Sequence, residues 1–184
     1  MRTILFFGDS LTAGYGLKDP IHDSYPGLIQ KKITDSNLKY EVINAGISGD
    51  TSGGGLARLD YWLKRPIDVF VLELGINDVM RGIAPSITST NLQAIISRVR
   101  SKHPDVSVVL MGMELPAFVP GMFIDEFRLI FRKLADKNSI TLVPFFLDGV
   151  AGQPHLNLSD GLHPSSEGYR VIANNVWPVL KPLL

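Results

Sequence analysis

The chain has 184 residues, 45% hydrophobic and 20% charged, with 18 Lys+Arg balancing 18 Asp+Glu, which excludes a disordered or collagen-like polymer. Zero formal net charge argues against a nucleic-acid or anionic-membrane partner, since both call for an excess of Lys and Arg. The absence of cysteine removes thiol nucleophiles, zinc-cysteine sites and disulfides together. Residues 1–184 read as a single domain whose core needs neither disulfide nor metal to fold.

In chain order, apolar runs rich in Ile, Val, Leu and Phe predict strands over 3–7, 40–44, 69–74, 106–111 and 141–144. They lack polar alternation, as burial on both faces of a parallel sheet requires. Helices are predicted between and after them, over 26–34, 54–64, 88–102, 123–137 and 165–180. Leu92, Ile95, Ile96 and Val99 fall at helical spacing, as do Phe127, Ile130, Phe131 and Leu134, and Tyr169, Ile172, Ala173 and Val176. These stripes are core-facing and carry no functional signal. The apolar tract at 4–7 is too short for a signal peptide, and the longest, 106–113, falls short of the ~20 residues of a membrane span. The chain as given therefore reads as cytoplasmic, or as periplasmic or secreted if an upstream signal has been removed, with no stable membrane insertion. Oligomeric state is not encoded in any feature of the sequence.

In open α/β sheets, ligands bind beyond the carboxyl ends of the strands. The residues there are Gly8-Asp9-Ser10-Leu11, Ala45-Gly46-Ile47-Ser48-Gly49-Asp50 and Gly75-Ile76-Asn77-Asp78, with Asp160-Gly161-Leu162-His163-Pro164 before the last helix. Together they supply the parts of an acyl-transfer site. Ser10 would be the nucleophile, His163 the general base that unmasks it, and Asp160, three residues earlier, the group that fixes the imidazole tautomer. His163 precedes Pro164, a residue suited to the first position of a helix, so the ring is expected near the positive end of the last helix, which favours neutral imidazole. Donors for the tetrahedral oxyanion are the backbone N–H groups of Ser10 and Gly49 and the Asn77 carboxamide, with Gly46 a rival for the second place. Singly, each residue also reads as a cap, a turn or a surface histidine; jointly, four separate loops deliver one mechanism.

These blocks resemble those of the SGNH, or GDSL, hydrolase superfamily: Gly8-Asp9-Ser10-Leu11 is similar to the first, Ser48-Gly49-Asp50-Thr51 to the second, Gly75-Ile76-Asn77-Asp78 to the third and Asp160-Gly161-Leu162-His163-Pro164 to the last. The match favours Gly49 over Gly46. Gly55-Leu56-Ala57-Arg58-Leu59, Leu115-Pro116-Ala117 and Pro144-Phe145-Phe146 resemble the thioesterase I, lysophospholipase and arylesterase branch. The resemblance implies a three-layer α/β/α flavodoxin-like fold with a five-stranded parallel sheet in the order 2-1-3-4-5. It also implies a Ser-His-Asp triad and hydrolysis of esters or acyl thioesters, small-molecule substrates, without cofactor or metal.

Apolar loops at 79–84 and 113–122 are expected to select the acyl group. Asp9, Val79, Met80, Pro116, Phe118 and Leu162 are the expected substrate-contacting residues. The resemblance further implies that 79–84 moves when substrate binds, about Gly82 as hinge and Pro85 as a stiff end. Two competing functions remain open. A carbohydrate O-deacetylase of the same superfamily would want an aromatic-lined polar cleft, whereas Trp62 and Trp177 are both placed on helices. A flavodoxin-like binding module would use the loop 8–16, which lacks a Walker lysine and a G-x-G-x-x-G pattern. His22, His103, His155 and His163 form no H-E-x-x-H, which weakens a metal hydrolase.

Overall fold

The computed structural model describes residues 1–114 and 121–184. Five strands, β1 (Arg2–Gly8), β2 (Tyr40–Asn44), β3 (Val69–Glu73), β4 (Ser107–Met111) and β5 (Thr141–Val143), pair in parallel in the order β2-β1-β3-β4-β5. The helices are α1 (Ser10–Ala13), α2 (Pro20–Asp23), α3 (Tyr25–Asp35), α4 (Ser52–Trp62), α5 (Ile76–Met80), α6 (Pro85–Lys102), α7 (Gly121–Asn138) and α8 (Ser166–Leu180). Helix α3 packs against α8, whereas α4, α6 and α7 pack in series, so the sheet lies between two helical layers. Ile4 to Phe7 of β1 and Phe70 to Leu72 of β3 have no exposed surface, which explains why these strands read as unbroken apolar runs. The predicted stripes of α6, α7 and α8 are all buried. Among the described residues, no helix is long and apolar enough to cross a membrane.

The predicted elements differ from these bounds by only a few residues. Helices α1, α2 and α5, at four, four and five residues, are too short to show a helical period. One end differs for a physical reason. Ser165 caps α8 by accepting a hydrogen bond from the Gly168 N–H at 3.3 Å, which supplies the partner a free helix-end donor needs. Pro164 is therefore not the first helical residue; it pairs with Asn157 in an isolated antiparallel bridge.

The strand register sets up the site. Gly8 lies opposite Glu73 across β1 and β3, so both strands end level and the loops after β1, β2 and β3 open on one edge. Gly8 is required by close approach: a Cβ there would stand 2.1 Å from the Thr12 hydroxyl and 2.5 Å from a Glu73 carboxyl oxygen.

Candidate active site

Ser10 opens α1, with Asp9 as its N-cap accepting from the Leu11 N–H at 2.9 Å. The His163 Nε2 stands 2.9 Å from the Ser10 Oγ, and Nδ1 stands 2.7 Å from Asp160 Oδ2. Asp160 Oδ1 accepts from the backbone N–H groups of Leu162 and His163, at 2.9 and 3.0 Å. That local turn is why a three-residue spacing suffices. The His163 backbone donor, followed by its ring, holds the Asp160 carboxyl down at about 2. An ionised carboxylate only accepts, so the imidazole proton belongs on Nδ1, leaving the Nε2 lone pair facing the serine hydroxyl.

Three further contacts fix the histidine loop. Leu158 N–H donates to the His163 carbonyl at 2.7 Å, the Asn157–Pro164 bridge closes the loop, and the Tyr15 ring lies against the imidazole with centroids 4.4 Å apart.

Of the expected oxyanion donors, Ser10 and Asn77 line one cleft with His163, whereas Gly49 is not among its lining residues. Among the described residues, neither the Ser10 nor the Gly49 N–H is bonded to a protein acceptor, whereas the Gly46 N–H donates to Asn44 Oδ1 at 3.0 Å. That commitment disfavours Gly46 and leaves Gly49 free. Gly49 has φ +79, a left-handed conformation costly to any residue with a Cβ, and its carbonyl accepts from the Arg81 guanidinium at 2.6 Å. Asn77 differs from the sequence expectation of a free donor. Its Nδ2 donates to Asp9 Oδ2 at 3.0 Å and to the Asp50 carbonyl at 2.9 Å, so both hydrogens already have acceptors.

Ser10, Asn77 and His163 line one cleft of about 610 Å³, walled by Leu11, Ile76, Met80, Phe145, Leu147 and Leu162. A larger groove of about 860 Å³ runs between α2, α3 and β2. Its histidine, His22, pairs with Asp19 at 2.7 Å rather than with a hydroxyl, whereas the smaller cleft contains the Ser10–His163 contact.

Of the expected substrate contacts, Met80 and Leu162 line the cleft. Val79 does not; it packs against the hydrophobic core. Nor does Asp9, expected at the substrate: it has no exposed surface and lies beneath Ser10, capping α1 and accepting from Asn77, so it offers nothing for substrate to touch. Pro116 and Phe118, with the rest of 115–120, lie outside the described residues. Neither Trp62 nor Trp177 lines the cleft.

The structure adds residues the sequence left unassigned. Phe145 and Leu147 follow β5, and the rule that ligands bind past strand ends would have found them. Tyr15, between Gly14 and Gly16, carried no separate signal. Glu73 did: a carboxylate closing the apolar run Val69–Glu73, fully buried here.

The sequence profile of the GDSL-like lipase/acylhydrolase family matches residues 6–171. The esterase TesA of Pseudomonas aeruginosa is 40% identical over 185 residues, spanning 100% of this chain and 90% of that protein. The thioesterase 1/protease 1/lysophospholipase L1 of Escherichia coli K12 is 37% identical over 183 residues, spanning 99% of this chain and 85% of that protein. A crystal structure of TesA superposes with a TM-score of 0.93 at 39% identity, covering 100% of both chains.

Proposed function

The chain belongs to the GDSL-like lipase/acylhydrolase family and is an enzyme that cleaves carboxylic esters, and from that premise we propose that turnover passes through an acyl-enzyme on Ser10. The observation that carries this reading is the relay from Ser10 Oγ to His163 Nε2 at 2.9 Å and from Nδ1 to Asp160 at 2.7 Å.

In the proposed reaction the Ser10 Oγ attacks the substrate carbonyl carbon while His163 Nε2 takes the hydroxyl proton. The carbonyl oxygen becomes an anion that the Ser10 and Gly49 N–H groups receive. The Asn77 carboxamide joins them by trading the Asp50 carbonyl for the oxyanion, because a charged acceptor makes the stronger bond. Asp160 stays ionised and stabilises the imidazolium. The imidazolium then gives its proton to the departing alkoxide, leaving the acyl group esterified to Ser10. Water, deprotonated by the same Nε2, attacks the acyl carbon; collapse returns the proton to Ser10 and releases the carboxylic acid.

The 184 residues act in this proposal as one hydrolase domain. The apolar walls Leu11, Ile76, Phe145 and Leu147 support an acyl chain as the recognised part of the substrate, with thioesters cleaved alongside oxygen esters. Tryptophans away from the cleft weigh against a sugar-binding deacetylase. Parallel assays on p-nitrophenyl acetate, longer acyl esters, acyl-CoA and acetylated xylan test this. Turnover that rises with acyl length beyond acetate is expected, and turnover confined to acetylated xylan contradicts it. In the same assays Ser10→Ala should lower kcat by about 10⁴- to 10⁶-fold.

A further inference from the structure

Beneath Ser10 lies a pair of carboxyl groups that take no part in the proposed reaction. Asp9 and Glu73 both have no exposed surface. Glu73 Oε2 accepts from the Asp9 backbone N–H at 3.2 Å and from the Thr12 hydroxyl at 2.7 Å. The Tyr25 hydroxyl lies 2.8 Å from that of Thr12, so Thr12 gives its one proton to Glu73 and accepts from Tyr25. Asp9 accepts on both oxygens, from the Leu11 N–H at 2.9 Å and from Asn77 at 3.0 Å. Glu73 Oε1 is buried with no donor.

No cation offsets this pair among the described residues. The nearby Arg58 guanidinium donates from Nε to Asp50 at 2.6 Å and from Nη2 to the Gly8 carbonyl at 3.0 Å, its buried Nη1 has no partner among the described residues, and it forms no ion pair with Asp9 or Glu73. Two neighbouring carboxyl groups, both fully buried and with no ion-pair partner, cannot both stay ionised. A retained proton belongs on the oxygen that lacks a donor, Glu73 Oε1. Burial pushes both carboxyl groups upward.

We propose that Glu73 is a positioning residue that holds a proton, so that the buried pair carries a single negative charge, on Asp9, where it aims the Asn77 carboxamide at the cleft. A doubly ionised pair would put a second negative charge under the place where the oxyanion forms and oppose it. The proposal rests on Asn77 as an oxyanion donor, but its proton assignment does not.

The titratable groups around the pair are Asp50, which faces Asp9, and Tyr25 and Tyr169, which face Glu73. Both phenols are raised by burial and stay neutral across the working range. A carboxyl raised on folding contributes stability that falls as pH rises above its unfolded value, so Glu73 is a growing liability towards alkaline pH.

Glu73→Gln is the decisive variant, because a carboxamide copies a protonated carboxyl. It should keep kcat within about threefold of wild type, whereas Glu73→Ala should lose about 10- to 100-fold in kcat with little change in KM. Wild type should lose kcat at alkaline pH where Glu73→Gln keeps it, and the variant should melt at least as high as wild type at pH 8. Infrared difference spectra between wild type and Glu73→Gln at neutral pH should show a protonated carboxyl band in wild type only, a readout independent of catalysis. A Glu73→Gln protein that fails to fold, that falls as far as Glu73→Ala in kcat, or that shows no such band overturns the proposal. So does Asp9→Asn retaining kcat while Glu73→Gln loses it.

Discussion

Two aspartates flank Ser10 in opposite electrostatic settings. Asp160 lies at the surface of its loop, takes two backbone N–H groups and the His163 ring, and is held at about 2. Asp9 is sealed under Ser10, has its backbone N–H bonded to the buried Glu73 carboxyl group, and is pushed upward by burial. The chemistry of the side chain is identical, so the surroundings assign the role. In the proposed reaction, convergent donors keep one acid ionised where it would stabilise an imidazolium, and removal from water limits the buried pair to one negative charge where more would hinder the oxyanion.

The sharpest way to break this contrast is to remove the exposed arm. His163→Ala should lower kcat on a p-nitrophenyl ester by about 10⁴- to 10⁶-fold, and Asp160→Asn by about 10²- to 10⁴-fold, because an amide can hold the wrong tautomer. A Asp160→Asn enzyme within a few-fold of wild type in steady-state assays would show that the exposed aspartate does not govern the ring. On the buried arm, Asn77→Ala removes one donor and should cost about 10²- to 10³-fold in kcat with KM nearly unchanged; a loss confined to KM would place Asn77 in ground-state binding instead.

How much of this contrast could be read from sequence follows from separation along the chain. Asp160 and His163 are three residues apart and form their bond within one turn, so their pairing is legible from spacing once the other loops point to one site. The strands were equally legible, because burial on both faces leaves apolar runs such as Phe70 to Leu72 with no polar interruption. The sealed arm was not. Asp9 meets Glu73 only because β1 and β3 are neighbours in register, and Asn77 reaches Asp9 and the Asp50 carbonyl across three loops. No local pattern encodes those meetings, and so Asp9 was expected at the substrate when it lies beneath it. The cleft wall behaved likewise: Val79 faces the core, and Phe145 and Leu147 take part of the place expected of its loop.

Smaller effects sharpen the picture. Leu147→Phe narrows the apolar wall and should shift the kcat/KM ratio between adjacent acyl lengths by about 10-fold towards the shorter chain, within what one methylene can discriminate; an unchanged ratio would place the acyl chain elsewhere. Smallest is the pH dependence of stability. Because Asp160 is depressed on folding, its contribution is present above its unfolded value of about 3.9 and is lost as pH falls towards about 2. The Tm deficit of Asp160→Asn in thermal melts should therefore shrink across that window, and a deficit that stays constant would contradict the ionised assignment.

The claim on which the rest depends is that a covalent ester forms on Ser10. Mixing enzyme with a p-nitrophenyl ester, quenching in acid during the burst and mapping the acylated peptide by mass spectrometry tests it directly. The expected result is one acyl group per chain on the peptide containing Ser10, absent from Ser10→Ala. Acyl transfer to another residue, or full turnover by Ser10→Ala with no adduct, would contradict it.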